Sequence, residues 1–399
     1  MSIPTVYLAI DHCDPATGRP MPNGIPQDQH NNIENMDGHR LDYPRLLYYL
    51  RQCNINTKIV NPESAPMGAW YPMVLGWFDF SADYFALIST DAYTRIKQKQ
   101  IKLIFTYHEG DNPARIRNRL EELCKDHNID SSLVWLISGN SMASQVPNTV
   151  YWPELEFMYW RTVDLNAGTA FHLNPRPKHF TALCRIDKLW RSVFMSDLWA
   201  NNLHHSGHFS YNQFQLGSED NYFDCALDNE YLAGKQSQVD RFISAGPFKA
   251  DDLNADQHNN YAANMDDFYG TSYFNVVLET MIDVDNSNGV FVTEKTFKPI
   301  FNNQFFIEVA AANTLSHLHE LGYKTFSSQI DESYDAIVDN QQRFECVLEL
   351  AKNLANKPLN ELHQLYANLQ TEICHNSTIF KKGMQHRLHA VVDRIMNTL

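Results

Sequence analysis

Apolar and polar positions in the first half of this chain alternate between two periods. Short apolar runs predict strands at Thr5–Ile10, Thr57–Val60, Tyr84–Ser89, Ile101–Tyr107 and Ser132–Ser138. Between them apolar residues recur at helical spacing. Leu41, Leu46, Leu47 and Leu50 predict a helix over Arg40–Cys53, and Ile116, Leu120 and Leu123 predict another over Pro113–Asn128. A shorter helix is expected at Ala92–Gln100. Strand and helix alternating through short polar turns imply a parallel sheet covered on both faces. The aromatic stretches Trp70–Phe80 and Tyr151–Trp160 read as core, with stacking against sugar or base faces as the alternative.

Two prolines in Asn174-Pro175-Arg176-Pro177 break any helix there and mark a linker. Beyond it the pattern restarts with a strand at His179–Cys184, a helix at Lys188–Asn201 and an extended run at Phe209–Phe214. After a long polar region come a helix (Tyr273–Met281), a strand (Val290–Thr293) and a helix (Phe297–Phe301). A strand (Phe305–Val309), a helix (Thr314–Leu321) and a last strand (Gly322–Phe326) follow. Asn340–Asn356 and Leu359–His375 are expected as tail helices. The reading is an α/β chain of two doubly wound domains, 1–173 and 174–345, with a helical tail over 346–399. A length of 399 residues agrees with more than one core. Such sheets in tandem place the expected ligand site in a cleft between domains.

Composition narrows the partners. A net charge of −15 argues against a chain whose main role is coating nucleic acid, though it leaves room for a local basic groove. The densest positive stretch holds Arg176, Lys178, Arg185, Lys188 and Arg191, followed by Lys295 and Lys298. That pattern suits an anionic small molecule such as a nucleotide diphosphate. No apolar run approaches the ~20 residues of a membrane span, and the N-terminus has no basic leader. Seven scattered cysteines without a C-x-x-C pair read as a reduced, cytoplasmic protein without structural zinc.

Gly289–Pro299 (G-V-F-V-T-E-K-T-F-K-P) carries the most chemistry. At a strand-to-helix turn, Glu294 would accept hydrogen bonds from ribose hydroxyls, and Lys295 with the helix amides would neutralise a phosphate. A surface capping turn is the alternative. Arg185, Lys188 and Arg191, three residues apart where a strand enters a helix, can converge on a diphosphate. Asp283-Val284-Asp285 spells D-x-D but sits in a turn-rich run and reads as an acidic loop. His204, His205 and His208 lack a partner at zinc-like spacing and read as a polar loop. The echo of Asp28–Asp37 in Asp256–Asp266 reads as two loops of capping residues.

The order strand–R-x-x-K-x-x-R–helix, then Y-F-N-V-V-L-E-T (273–280), then V-F-V-T-E-K-T-F-K-P-I (290–300), resembles the donor half of GT-B glycosyltransferases. It is most similar to fucosyltransferase-like enzymes. L-G-Y-K-T-F…I-D-E-S-Y-D (321–335) and H-E-G-D-N-P (108–113) resemble glycosyltransferase-like proteins of marine phages and bacteria. The resemblance covers roughly residues 100–345 and departs at Thr280, where fucosyltransferases usually carry Asn. It implies two Rossmann-like domains in a GT-B architecture, acceptor domain first and donor domain second. It also implies Glu279 and Glu294 on ribose or sugar hydroxyls, Lys295 and Arg185 on the diphosphate, and Lys188, Arg191 and Thr296 in the same donor site.

The expected reaction is inverting, metal-independent sugar transfer from a UDP- or GDP-linked donor, with no cofactor besides it. The acceptor would be a hydroxyl on a hydroxymethylated DNA base, a polysaccharide or a protein. Such a transfer needs a base. Glu109, beside His108 at a strand end, is the first candidate, and Asp11 after the first strand is the second. Helix capping is the alternative for each carboxylate. A nucleotide-binding protein without catalysis would keep the E-K turn and lack the base.

Overall fold

The computed structural model describes residues 5–10, 46, 50, 54–75, 79–107, 109–186, 188–214, 227–250, 266–283 and 289–396. The chain is α/β, with two parallel sheets and two compact units. Unit 1 comprises residues 1–154 and 384–399, and unit 2 residues 155–383.

In unit 1 the described strands are β1 (Val6–Ala9), β2 (Thr57–Val60), β3 (Ala69–Leu75), β4 (Ile101–Tyr107), β5 (Val134–Ser138) and β6 (Thr149–Tyr151). They form one parallel sheet in the order β2-β1-β3-β4-β5-β6. Helices α1 (Thr90–Lys97) and α2 (Pro113–Asp126) fall close to their expected places. Ile116, Leu120 and Leu123 of α2 are buried in one cluster with Leu103 and Phe105 of β4. Tyr84–Leu87 is a 3-10 turn, not the expected strand. Asp83 accepts from Phe85 N at 3.0 Å and Ala86 N at 3.3 Å, which curls the chain there. The strand lies instead in the aromatic stretch, as β3. Of the expected helix over 40–53, Leu46 and Leu50 are helical and buried, and the rest lies outside the described residues.

In unit 2, β7 (Lys178–Ile186), β8 (His208–Phe214), β9 (Ser272–Leu278) and β10 (Phe305–Val309) form a parallel sheet in the order β10-β9-β7-β8. Its helices are α3 (Glu154–Thr162), α4 (Leu189–Ala200), α5 (Asn229–Ala245), α6 (Asp266–Thr271), α7 (Glu294–Phe301), α8 (Thr314–Glu320), α9 (Asn340–Ala355), α10 (Leu359–Asn368) and α11 (Gln370–Met396), which runs past the end of the unit. Phe180, Phe274 and Phe305 lie in register on β7, β9 and β10, with ring centroids 5.8 and 5.5 Å apart. They tie the sheet together from one face.

The units divide at 154/155, against an expected linker at 174–177. Tyr159 of α3 packs on Phe301 and Phe380, so this segment shares the second core. Phe344, Val347, Leu362 and Tyr366 of the expected tail are buried in that core as well.

Tyr273–Met281, expected as a helix, is strand β9 followed by loop. All seven β9 residues are buried, and a run apolar on every face has no period to distinguish strand from helix. Val290–Thr293 and Gly322–Phe326 join no ladder among the described residues. In both sheets the first strand lies between the second and the third, so the direction of travel reverses at β1/β3 and at β7/β9. Open parallel sheets hold ligands beyond the carboxyl ends of the strands at such reversals. Among the described residues, no helix is long and apolar enough to cross a membrane.

Candidate functional site at the carboxyl end of β7 and β9

Glu279 follows β9 and is fully buried. Its carboxylate accepts from Thr280 N and Thr293 N, each at 2.9 Å, and from the Thr293 and Thr296 hydroxyls, each at 2.6 Å. One side chain thereby pins the loop returning from residue 293 onto the strand end. Helix α7 begins directly after, with Thr293 as N-cap, so Glu294 and Lys295 occupy its first turn. Pro299 lacks the amide that would bond the Lys295 carbonyl, and Asn303 at φ 53° turns the chain out of the helix.

Lysines from two separate elements meet at Thr280. Lys188, the residue before α4, donates from Nζ to the Thr280 carbonyl at 2.9 Å. Lys295 Nζ donates to Thr280 Oγ1 at 3.0 Å, to Thr293 Oγ1 at 3.1 Å and to Glu294 Oε1 at 3.4 Å. Arg191 is buried and donates from its guanidinium to the Glu279 carbonyl. Arg185 lies on β7 between Cys184 and Ile186, which pair with Tyr211 and Phe214 of β8, so the register shifts by one residue beside it. Such irregularities re-aim side chains at the ends of strands.

The electrostatics join these groups. Burial lowers the Lys298 ammonium below its ordinary value; Glu294 opposes this, while Lys295 and Arg185 add to it. Arg185 and Lys298, from different elements, therefore sit within one field. Burial pushes the Glu294 carboxyl up, but Lys295 and Lys298 beside it outweigh that, and the net shift is downward. A half-buried anion among cations at a helix start leaves a positive excess, suited to a phosphate group.

The expected site residues divide by position. Arg185, Lys188, Glu294 and Lys295 are half-buried at the strand edge. Glu279, Arg191 and Thr296 are buried. Glu279 has four donors on its carboxylate and no exposed surface, and in this structure it holds the turn. Arg176 and Lys178 of the positive stretch leave the site altogether. Arg176 is buried on the carbonyls of Tyr269 and Ser272 and stacks over Tyr366, and Lys178 begins β7 at the opposite edge.

Two groups went unselected as site residues by sequence. Lys298 falls four residues after Glu294, a helical pairing distance that would have marked it. Glu308 lies within the buried strand β10, 2% exposed, with neither carboxyl oxygen hydrogen-bonded. Its signal was a single acid inside the run F-F-I-E-V.

In unit 1, Glu109 is half-buried just past β4. The Tyr107 hydroxyl donates to Asp111, and Asn140 Nδ2 donates to the Gly110 carbonyl at 2.8 Å, which fixes the loop carrying Glu109. Asn112, not Glu109, caps α2. Burial, with Asp111 and then Glu109 nearby, holds the Tyr107 phenol protonated well beyond its usual range. Asp11, His108 and the loop echo, apart from Asp266 at the start of α6, lie outside the described residues. Among the described residues, no group of three His, Cys, Asp or Glu is placed to hold a metal ion. Comparison with family models, curated proteins and solved structures gives no match for this chain.

Proposed function

We propose that unit 2 binds a nucleoside diphosphate at the carboxyl end of β7 and β9, and that the chain is a GT-B-type glycosyltransferase with two Rossmann-like domains. The observation that carries the reading is the meeting of Lys188 and Lys295 on Thr280, with Arg185 and Lys298 in the same field. Cations from the β7–α4 turn and from α7 together suit two linked phosphates better than one.

In this reading Glu109 takes the proton of an acceptor hydroxyl. The hydroxyl oxygen bonds to the anomeric carbon as that carbon's bond to the diphosphate breaks, with inversion. The bonding pair leaves on the phosphate oxygen, and the side-chain cations stabilise the charge that develops. The acceptor hydroxyl belongs to a DNA base, a glycan or a protein, and a hydroxymethylated base is the first to assay.

A thermal-shift panel of UDP-, GDP-, dTDP- and CMP-sugars tests the nucleotide. A ligand at a hundred times its Kd stabilises the fold by about 2.7 kcal/mol. The expected result is a rise in Tm with one nucleotide class, about halved in Lys295→Met at the same ligand concentration. No rise with any of the four sinks the proposal.

A further inference from the structure

Among the described residues of this region, Glu308 is a buried acid that the proposed chemistry leaves without a role. It comes from β10, and its own amide bonds the Tyr334 hydroxyl at 3.3 Å. The groups facing it are Glu279 past β9, Lys295 and Thr296 of α7, and Tyr334 and Asp335 of the turn over Ser333–Ala336. Lys295 is the cation among them, and its ammonium is bonded to Thr280, Thr293 and Glu294. The Thr296 hydroxyl beside Glu308 is given to Glu279 at 2.6 Å. A carboxylate in that position would be buried, unpaired and next to a second carboxylate, an arrangement that proteins resolve by keeping the proton.

We infer that Glu308 stays protonated in the folded chain and that its uncharged carboxyl leaves the Thr293–Thr296 turn locked on Glu279. The uncharged carboxyl is tolerated behind Glu279. An ionised one would set a second buried negative charge against Glu279 and pull on the donors that hold the turn. Burial first, then Glu279 and Asp335, raise the Glu308 carboxyl well above its ordinary range, and Thr296 and Lys295 only partly oppose them. The link from this lock to ligand affinity rests on the nucleotide reading above, whereas the proton itself does not.

The sign of the stability effect follows from proton counting. Above the ordinary carboxyl value of 4.5 the unfolded chain releases this proton and the folded chain keeps it. Stability from this group is therefore full below that value and is lost as pH rises toward the folded value.

The test uses the full chain and Glu308→Gln, which is nearly isosteric and never charged. The Tm of the wild type should fall relative to that of E308Q as pH rises from about 4 to about 8. At neutral pH the wild type should show the infrared carbonyl band of a buried carboxylic acid, and E308Q should lack it. Burial also raises the Glu332 and Asp335 carboxyls, so loss of the band on substitution assigns it to Glu308, and Glu308→Met, also uncharged, serves if E308Q folds poorly. Pyrophosphate affinity, measured by calorimetry, should decline at high pH more steeply in the wild type than in E308Q. Parallel pH profiles together with a missing band overturn the inference. If pyrophosphate binds neither protein while the band and the Tm difference are present, the nucleotide reading fails and the proton assignment stands.

Discussion

Lys188 and Lys295 bond the same residue, one at the carbonyl of Thr280 and the other at its hydroxyl. They lie far apart in the chain and belong to different elements, so only the parallel sheet brings them together. Thr280 follows the central strand β9, beside the reversal in strand order, and the two ammonium groups converge there. The relation also explains why Arg191 is buried. It bonds the Glu279 carbonyl one residue back and steadies the strand end that both lysines grip.

Replacing Lys295 with Met should weaken pyrophosphate or nucleoside diphosphate binding about tenfold, or about 1.4 kcal/mol. The side chain is 32% exposed, so the fold should lose less than about 1 kcal/mol. Lys178→Met, at the opposite end of β7, serves as the control and should bind normally. Equal losses in the two variants would mean that only net charge matters.

Glu279→Gln should act on the fold before it acts on the ligand. The amide nitrogen offers donors where two backbone amides and two hydroxyls already donate. A cost of roughly 2–4 kcal/mol is expected in urea unfolding, from unsatisfied buried groups. A variant that unfolds like the wild type yet loses affinity would put Glu279 on the ligand, as the resemblance implies.

Strands β4 and β10 and helices α8 and α9 were legible because each is an apolar or periodic run bounded by turn residues. Helix α5 was not, since only Leu232, Val239 and Phe242 of its seventeen residues are buried and it reads as polar chain. The E-K turn was visible as a motif, and the convergence of cations could be anticipated from it. The part played by Glu279 could not. It depends on Thr293 and Thr296 folding back onto a strand end, and β9 itself read as a helix. Local pattern reports which residues are present in a turn, whereas the division between those facing a ligand and those beneath it is made by tertiary contact.

Lys298 makes binding pH-dependent in a direction that can be stated. Its ammonium is held below the ordinary value of 10.5, by burial first and then by Lys295 and Arg185. A bound diphosphate favours the charged form and raises that value again, so binding at a pH between the two values takes up a proton. Affinity should therefore fall as pH rises through the lowered value. Calorimetry in two buffers of different ionisation enthalpy measures the uptake. Lys298→Met should abolish it.

Glu109→Gln separates transfer from binding. Its loop is fixed by Asn140 and by the Tyr107–Asp111 bond, neither of which uses the Glu109 carboxyl. Urea unfolding of the variant beside the wild type reads any cost to the fold separately from the rate. Loss of a general base typically costs roughly 10²–10⁴ in rate, so kcat should fall by that factor while the affinity of the nucleotide sugar stays the same. The fall should be seen with any acceptor, because the base acts on the hydroxyl and not on what carries it. Unchanged kcat in Glu109→Gln would move the search for the base to Asp11, the second candidate in the sequence.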